Sequence, residues 1–378
     1  MKIQKGLFFS HEDDNAGAPR ALLSVLQFIL ENFSIHADIQ VFTPKSEGVF
    51  EPLRTKHPHL VAKIIYPKPV GNNIIVRKLK KWSKKVVTKK QISFYNSYDF
   101  LFFNSMSFYQ YKSQLDGITV PKFLYLHEGS NFLHDFFKDD YAILDNFTHI
   151  FVPGNQSKEN LSAHGINPVK ITVLPLFLDA DEIVTAVPQS NNKFFTVGNL
   201  ANPGFLKAPE YFLAIAKRYK EKYANDKIQF KWKGFKKESQ AFNITQYEIK
   251  QAGLENFVIL EEKNKENVAF FEGIDVLLMT SKQETFGRVV LEAANYSKPS
   301  MTFSIVIGAA NFINEYGGFT PDYLSLEQAV DYLKQYYENR DLLVSHGQMA
   351  HEKLLEKYVI NASLTEDLKG KLSIIFKK

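Results

Sequence analysis

The chain of 378 residues is longer than a single hydrophobic core usually supports, so two domains are predicted. Its residues are 45% hydrophobic and 23% charged, a globular composition that excludes a disordered or fibrous chain. The absence of cysteine excludes disulfides, cysteine zinc sites and a cysteine nucleophile, and it fits a reducing compartment.

The first residues do not have the pattern of a secretory signal peptide. Their apolar stretch is too short, and an acidic run follows too early, at residues 12–14. No window approaches the roughly 20 apolar residues that are needed to span a bilayer. The sequence therefore predicts a soluble, cytoplasmic protein.

Segments rich in β-branched and aromatic residues alternate with helical patterns, which predicts an α/β architecture with parallel sheets. In the first half, strands are predicted near residues 3–9, 39–43, 63–66, 100–104, 123–127, 149–153 and 171–174. In the second half they are predicted near residues 194–197, 228–232, 258–260, 276–279 and 300–303. A polar run at residues 188–193 separates the halves, and a helical tail is predicted at residues 364–376.

The turn after the first strand places Gly17 just before an apolar helical run. A glycine there lets the backbone approach a ligand closely, and a helix start favours a phosphate. The turn is neither a G-x-G-x-x-G motif nor a P-loop, which weakens a dinucleotide or nucleoside triphosphate interpretation. An ordinary strand-to-helix turn is the alternative.

Every charged residue in the segment 74–90 is positive, and apolar residues recur there at helical spacing. This pattern is typical of a helix on an anionic membrane surface, here the inner face of the cell membrane. The predicted contacts are Lys80, Lys81, Trp82, Lys84 and Lys85. A solvated helix docked on its own domain explains the pattern equally well. The segment lies outside any recognisable nucleic-acid module, so no nucleic-acid partner is predicted.

After the fifth strand, His127 and Glu128 stand at the carboxyl end of a parallel strand, where ligands of open α/β sheets usually bind. A lone histidine is more often structural than catalytic. Glu128 either orients His127 or simply begins the loop.

Asp179 and Asp181 form a D-x-D pair of the kind that binds metals in some transferases. Their position after an apolar run favours helix capping or solvent exposure instead. No group of His, Asp and Glu has the spacing of metal ligands, so no metal requirement is predicted.

The stretch 276–299 reads as a strand, a tight polar turn and a helix that begins near Phe286. Glu284 lies in the turn, and Glu292 follows two helical turns later. The unpaired N–H groups of residues 285–288 would point out of the helix start, where a diphosphate or sugar hydroxyls could accept them. The pattern predicts a site for an anionic, hydroxylated ligand, and two ordinary surface glutamates are the alternative.

The run E-T-F-G-R-V-V-L-E resembles the Glu-x7-Glu motif of retaining glycosyltransferases of family 4, which have the GT-B fold. The resemblance implies two Rossmann-like, doubly wound domains that face each other across a cleft, with a C-terminal helix that crosses back to the first domain. The implied boundaries are residues 1–187 for the acceptor domain, 188–360 for the nucleotide-sugar donor domain and 361–378 for the crossing helix.

The same resemblance assigns roles to the residues of the motif. It implies that Glu284 contacts the donor sugar, that His127 faces this sugar and that Glu292 binds the ribose hydroxyls. It also implies that the turn contacts sugar and phosphate, at Thr285, Phe286, Gly287, Arg288 and Val289.

Further positions match the family's phosphate- and base-binding loops. The resemblance implies that Lys207 clamps the diphosphate, while Asn199 follows Gly198 where the family usually has Arg. Arg288 or Lys282 could supply the missing charge. The first-turn Gly17 and the loop glycine Gly234 complete the implied donor site.

These features predict a metal-independent hexosyltransferase with no cofactor. The predicted donor is a UDP- or GDP-linked sugar, and the predicted acceptor is a saccharide or lipid-linked saccharide of cell-surface polysaccharide, lipopolysaccharide or glycolipid synthesis. The departure at Asn199 motivates one alternative, a non-catalytic carbohydrate- or partner-binding protein of the same fold. A sugar-nucleotide epimerase on this fold is the other.

Overall fold

The computed structural model describes residues 3–14, 16–43, 48–65, 89–138, 141–184, 193–264, 266–316 and 318–376. The chain divides into two compact units, Met1–Pro175 with Thr365–Lys378, and Leu176–Leu364. The predicted boundary between residues 187 and 188 lies outside the described residues, so the predicted domain limits stay a prediction.

The first unit contains one parallel sheet with strands in the order β3-β2-β1-β4-β5-β6-β7. These strands are β1 (Gln4–Glu12), β2 (Ile35–Thr43), β3 (Val61–Ile65), β4 (Phe100–Asn104), β5 (Lys122–Tyr125), β6 (His149–Val152) and β7 (Ile171–Val173). The helices between them are α1 (Gly17–Asn32), α2 (Glu51–Lys56), α3 (Ser130–Phe137) and α4 (Asn155–Ala163), and residues 89–95 are also helical. Shorter 3-10 turns cover Met106–Gly117, Tyr141–Asn146 and Pro168–Lys170.

Strand β4 shows why the sheet forms. All five residues of its sequence FLFFN are buried, as expected for a central parallel strand that is covered on both faces. Phe103 stacks on Phe9 of β1 with 4.3 Å between ring centroids, and Phe102 contacts Phe8 at 5.4 Å. Aromatic side chains on both faces of the two central strands therefore form the core of this unit.

The second unit contains a five-stranded parallel sheet in the order β10-β9-β8-β11-β12. Its strands are β8 (Phe195–Leu200), β9 (Ile228–Phe235), β10 (Val258–Glu262), β11 (Val276–Met279) and β12 (Ser300–Thr302). Its helices are α5 (Pro209–Lys222), α6 (Gln240–Gln251), α7 (Val268–Gly273), α8 (Arg288–Asn295), α9 (Ile307–Glu315), α10 (Leu326–Glu338) and α11 (Arg340–Lys357), with a short turn at Ala180–Glu182.

The last helix, α12 (Ala362–Leu372), continues into a 3-10 turn at Ser373–Ile375. From Thr365 onward the chain belongs to the first unit, where Phe376 stacks on Phe33 of that unit at 4.3 Å. The predicted return of the C-terminal helix to the first unit is therefore confirmed.

All the strands that the sequence predicts are present, with ends that differ by a few residues. The predicted start of the helix after β11 is wrong, because α8 begins at Arg288 and not near Phe286. Gly287 has φ +88°, a left-handed conformation that cannot belong to the helix. Phe286 precedes it as a buried core residue, with its ring 5.5 Å from that of Tyr358.

Both sheets have a point where the direction of winding changes. In the first unit it lies between β1 and β4, and in the second it lies between β8 and β11. In open α/β sheets, ligands bind in the crevice outside the carboxyl ends of the strands at such a point. The loops that follow these four strands are therefore the expected positions of ligand-binding residues.

Candidate functional site

The loops after β8 and β11 bring Lys207 and Glu284 together. The Lys207 ammonium forms an ion pair with Oε1 of Glu284, and the Ser281 hydroxyl donates to the same oxygen at 3.1 Å. The two residues come from separate parts of the sequence and meet at the carboxyl edge of the sheet. The site thus presents a cation and a carboxylate at the position where this fold binds ligands.

The backbone on either side of Lys207 is fixed. Ala208 is buried and left-handed, with φ +51°, a conformation that a residue with a Cβ adopts only when its surroundings enforce it. The hydroxyl of Thr280, at the end of β11, lies 3.1 Å from the carbonyl of Lys207 and 3.3 Å from that of Ala208. The N–H of Lys207 donates to the Gly204 carbonyl at 3.0 Å. These contacts hold Lys207 in place before any ligand arrives.

Burial lowers the pKa of Lys207 to about 8. About a third of the side chain, 35%, is nevertheless exposed, so water reaches the ammonium from one side. Lys207 is therefore mostly charged at neutral pH, and its charge is sensitive to a rise in pH of one or two units.

Gly287 and Gly308 shape the turn that carries Glu284. Gly287 has the left-handed φ noted above, and a Cβ there would lie 3.0 Å from the sulfur of Met279. Gly308 lies at the start of α9, and a Cβ there would overlap the carbonyl oxygen of Thr285. Close backbone contact, which only glycine permits, thus fixes the turn between β11 and α8.

Arg288 does not face the site as a mobile cation. Only 4% of its side chain is exposed, and its guanidinium is paired with Glu182 and Glu292. Burial by itself would lower the pKa of Arg288, but the charges of Glu182 and Glu292 outweigh burial and raise it. Lys282 is also engaged, since its ammonium lies 2.6 Å from Glu210 and 3.8 Å from the centroid of the Phe205 ring. The expectation that either residue supplies a missing charge has no support in these contacts.

Glu292 and Val289 lie on α8 and are both partly exposed. The Glu292 side chain is 18% exposed, and its Oε1 accepts from Nε of Arg288 at 3.3 Å. A carboxylate has room for further donors beside one such bond. Its predicted role in binding ribose is compatible with this position.

Asn199 and Gly198 serve the packing of the second unit. Asn199 is buried, its amide lies 3.4 Å from the Thr280 hydroxyl, and its Oδ1 has no hydrogen-bond partner. A Cβ at Gly198 would collide with Ile274 and Phe270. A Cβ at Gly234, which has φ +133°, would overlap the carbonyl of Ala201. Gly198 and Gly234 therefore each have a structural reason for their identity, whereas Asn199 is buried with its Oδ1 unsatisfied.

In the first unit, His127 follows β5 and lies beside β4. Its Nε2 is 2.7 Å from Oδ1 of Asn104, whose amide group donates to the Ala18 carbonyl at 3.0 Å. Because the Asn104 amide group faces Ala18, its Oδ1 faces His127, and the tautomer of His127 with the proton on Nε2 satisfies this contact. Burial, with a smaller effect of His11, lowers the pKa of His127 to about 3. His127 is therefore a neutral hydrogen-bonding group at physiological pH.

Glu128 anchors the turn after β4. Its Oε1 accepts from the Ser105 hydroxyl at 2.5 Å and from the Met106 N–H at 2.9 Å, and its Oε2 accepts from the His127 N–H at 3.1 Å. Ser105 has φ +77°, so the carboxylate holds a strained turn. Burial raises the pKa of Glu128, while these hydrogen bonds oppose that rise. It accepts this hydrogen bond from the backbone N–H of His127.

Gly17, Asp179 and the basic segment are the other places where the sequence predicts a role. Gly17 is the first residue of α1, and a Cβ there would meet nothing within 4 Å, so the position faces open space. Asp179 is the N-cap of the turn Ala180–Glu182 in a reciprocal capping arrangement, which agrees with the predicted capping role. The membrane-contact residues Lys80, Lys81, Trp82, Lys84 and Lys85 lie outside the described residues.

Comparison with protein families bears on the second unit. Residues 179–353 match the family described as glycosyl transferases group 1. The second unit carries a group 1 glycosyltransferase domain. Lys207 and Glu284, in the loops after β8 and β11, and Glu292 on α8 all lie inside this domain.

Comparison with solved structures shows the fold of the whole chain. It is similar to Anabaena HepE in complex with UDP and glucose, with a TM-score of 0.79, 16% identity and coverage of 98% of this chain and 100% of that chain. It is also similar to the lipopolysaccharide outer core galactosyltransferase WaaB, with a TM-score of 0.69, 15% identity and 99% coverage of both chains. A TarM mutant of S. aureus gives a TM-score of 0.73 at 14% identity, with full coverage of both chains. The predicted GT-B fold is confirmed, and no curated protein matches the sequence.

Sequence reasoning missed several residues that contact the predicted functional residues of each unit. They share the property of touching functional side chains or their turns: Asn104, Glu182, Thr280, Ser281 and Ala208. Thr280 and Asn104 each stand at the carboxyl end of a central strand, and this position in the sequence could have identified them as candidates.

Among the described residues, no group of three or more His, Asp or Glu side chains could hold a metal ion. Within the same residues, no helix is long and apolar enough to cross a membrane.

Proposed function

We propose that this protein is a nucleotide-sugar-dependent glycosyltransferase of the hexosyltransferase type. It transfers the sugar with retention of configuration and without a metal. The acceptor is a saccharide or lipid-linked saccharide of the cell surface. The group 1 domain and the GT-B fold support the transferase class, while the finer features rest on the Glu-x7-Glu resemblance.

The observation that carries the proposal is the Lys207–Glu284 ion pair at the switch point of the group 1 domain. A diphosphate leaving group gains negative charge as the glycosidic bond breaks, and a fixed cation stabilises that charge. Lys207 is such a cation, since its backbone is held by Gly204 and Thr280. When a diphosphate takes the place of Glu284 beside Lys207, the freed carboxylate can accept hydroxyls of the donor sugar.

The other residues complete the donor site in this proposal. Glu292 accepts the ribose hydroxyls, and the backbone N–H groups of residues 285–289 contact sugar and phosphate. His127 contributes a neutral hydrogen-bonding group toward the sugar. Its low pKa means that it supplies no positive charge and does not act as a general acid at neutral pH.

The donor is proposed to be a UDP- or GDP-linked sugar. Anabaena HepE was solved with UDP and glucose and with UDP-glucose, which supports uridine for this fold neighbour. The similarity to WaaB supports a saccharide acceptor in lipopolysaccharide or related synthesis. A peripheral position on the inner face of the cell membrane, through the segment 74–90, belongs to the same proposal.

Titration calorimetry with UDP, GDP and their glucose, galactose and N-acetylglucosamine conjugates tests the proposal directly. We expect one nucleotide series to bind and the sugar to add affinity beyond the nucleoside diphosphate. Release of the nucleoside diphosphate in the presence of a saccharide acceptor then demonstrates transfer. If no sugar nucleotide binds, the proposed function is wrong.

One observation favours a second candidate, a carbohydrate-binding protein of the same fold without turnover. Asn199 is buried and replaces the family's usual Arg, and both Arg288 and Lys282 are paired elsewhere. With Lys207 as the cation beside a bound diphosphate and no contribution from these residues, the charge on a departing diphosphate would be stabilised too weakly for turnover. Binding of a sugar nucleotide with neither transfer nor hydrolysis would support this candidate. Interconversion of sugar epimers without an acceptor would instead indicate an epimerase.

A further inference from the structure

Arg288 uses all three of its guanidinium nitrogens inside the second unit. Nη2 donates to both carboxylate oxygens of Glu182, at 2.8 and 2.6 Å. Nη1 donates to the carbonyl of Phe177 at 3.1 Å, and Nε donates to Oε1 of Glu292 at 3.3 Å. Four of its five N–H groups therefore donate to protein acceptors, and a diphosphate that took their place would have to displace one of these acceptors.

Such a displacement is unfavourable because Arg288 and its partners are shielded from water. The side chain of Arg288 is 4% exposed, and those of Glu182 and Glu292 are 23% and 18% exposed. A carboxylate that loses its cationic partner in such surroundings is still shielded from water, and the free-energy cost of its desolvation is no longer offset. Arg288 is therefore better suited to holding Glu182 and Glu292 than to binding a ligand.

The contact with Glu292 is the one that reaches the proposed ribose site. Arg288 and Glu292 stand four residues apart on α8, so their side chains lie on the same face of the helix. Without a hydrogen bond from Arg288, the Glu292 side chain would move among several rotamers. Fixing it in one rotamer when the nucleotide binds would then cost affinity. Because a carboxylate offers about four acceptor sites, the bond from Arg288 can hold it and leave sites for hydroxyls.

The contact with Glu182 holds Arg288 in turn. Glu182 closes the turn Ala180–Glu182, where it also accepts from the Asp179 N–H at 3.2 Å. The bidentate geometry fixes the plane of the guanidinium, which in turn aims Nε at Glu292. The segment 177–182 thus orients a carboxylate on α8, in a chain of contacts from Glu182 through Arg288 to Glu292.

We propose that Arg288 is a positioning residue for ribose recognition: it holds the Glu292 carboxylate, through Glu182, in the orientation that accepts the ribose hydroxyls. The inference rests on the proposed function, since it takes Glu292 as the ribose ligand. It goes further because Arg288, whose side chain does not touch the nucleotide, would determine how well the protein discriminates between nucleotides with and without ribose hydroxyls.

The experiment compares UDP with 2′,3′-dideoxy-UDP, and GDP with its dideoxy analogue, by calorimetry on the full chain. The wild type should bind the ribonucleotide at least about tenfold more tightly, because the analogue lacks the hydroxyls that the Glu292 carboxylate is placed to accept. In Arg288→Met, the affinity for the ribonucleotide should fall until the two nucleotides differ by no more than about twofold. The affinity for the dideoxy analogue should hardly change.

Two further variants separate positioning from a general loss of structure. Arg288→Lys keeps the positive charge but lacks the bidentate donor geometry of the guanidinium, so the discrimination should be partly lost. This variant keeps the test decisive if Arg288→Met fails to fold. Glu292→Gln should remove the discrimination by itself, and adding Arg288→Met to it should cause no further loss of discrimination. The matched control is Arg340→Met, which removes an ion pair with Asp275 at the opposite, amino-terminal end of β11. It should leave the ratio of the two affinities unchanged.

The failures of the two proposals are distinguishable. If the wild type binds neither UDP nor GDP, the proposed function itself is wrong. If it binds and discriminates, but the Arg288 variants weaken both analogues equally, Arg288 is only a structural residue and the inference is overturned. A discrimination that survives in both Arg288→Met and Arg288→Lys overturns it as well.

Discussion

Changing Lys207 to arginine should remove a pH dependence from nucleoside diphosphate binding. The pKa of Lys207 is lowered to about 8, so the folded protein loses this charge as the pH rises through 8. An arginine at this position stays charged far above that range. Wild type and Lys207→Arg should therefore differ little at pH 7 and diverge at pH 9.

The size of the effect follows from the pKa. If the diphosphate binds the charged form, the apparent affinity falls by a factor of about two at pH 8 and about ten at pH 9. Since 35% of the Lys207 side chain is exposed, solvent screening makes the tenfold loss an upper limit. The same lowered pKa makes the unfolded chain bind more protons than the folded one between pH 8 and about 10.4, so burial of this lysine opposes folding less as the pH rises through that window.

Calorimetry at pH 7, 8 and 9 measures both the affinity and the protons that are exchanged. Near pH 8 to 9, UDP binding to the wild type should take up a fraction of a proton, seen as a dependence of the apparent enthalpy on the ionisation enthalpy of the buffer. Phosphate groups, with a second pKa of about 6, are already ionised there and contribute little. Wild-type affinity that is constant from pH 7 to 9, or a Lys207→Arg variant with the wild-type slope, would refute the reasoning.

Three further predictions concern the ribose ligand, the turn and the membrane segment. Glu292→Ala should weaken nucleotide binding by about 1 to 3 kcal/mol, because the ribose hydroxyls lose their acceptor, and unchanged affinity in calorimetry would contradict the assignment. Gly308→Ala should lower both the melting temperature and the nucleotide affinity, because its Cβ would displace the Thr285 carbonyl. As the control, Gly370→Ala in α12 should lower neither quantity, because nothing lies within 4 Å of its Cβ. Wild type should co-sediment with anionic but not neutral vesicles at low salt, and replacing Lys80, Lys81, Lys84 and Lys85 with Glu should abolish this binding. Binding that survives this charge reversal would contradict the proposed contact.

The sequence by itself determined the architecture. Buried parallel strands such as FLFFN in β4 are readable because a strand covered on both faces must be apolar throughout, and this property is local. The position of Glu284 in a turn after β11 was equally accessible, because strand, turn and helix follow one another directly in the chain. The one local error, the start of α8, came from Gly287, whose left-handed conformation only its surroundings reveal.

Only the tertiary structure decided which charges are available to a ligand. Lys207 and Arg288 look equivalent in the sequence as cations near a phosphate site. The fold pairs Lys207 with Glu284 at the partly exposed edge of the sheet, and it buries Arg288 against Glu182, a residue far away in the chain. The same holds for Asn199, whose burial beside Thr280 depends on the packing of β8 against β11. Periodicity and motif spacing report local geometry, whereas the partner and the exposure of a side chain depend on contacts between distant segments, and these exist only after the chain has folded.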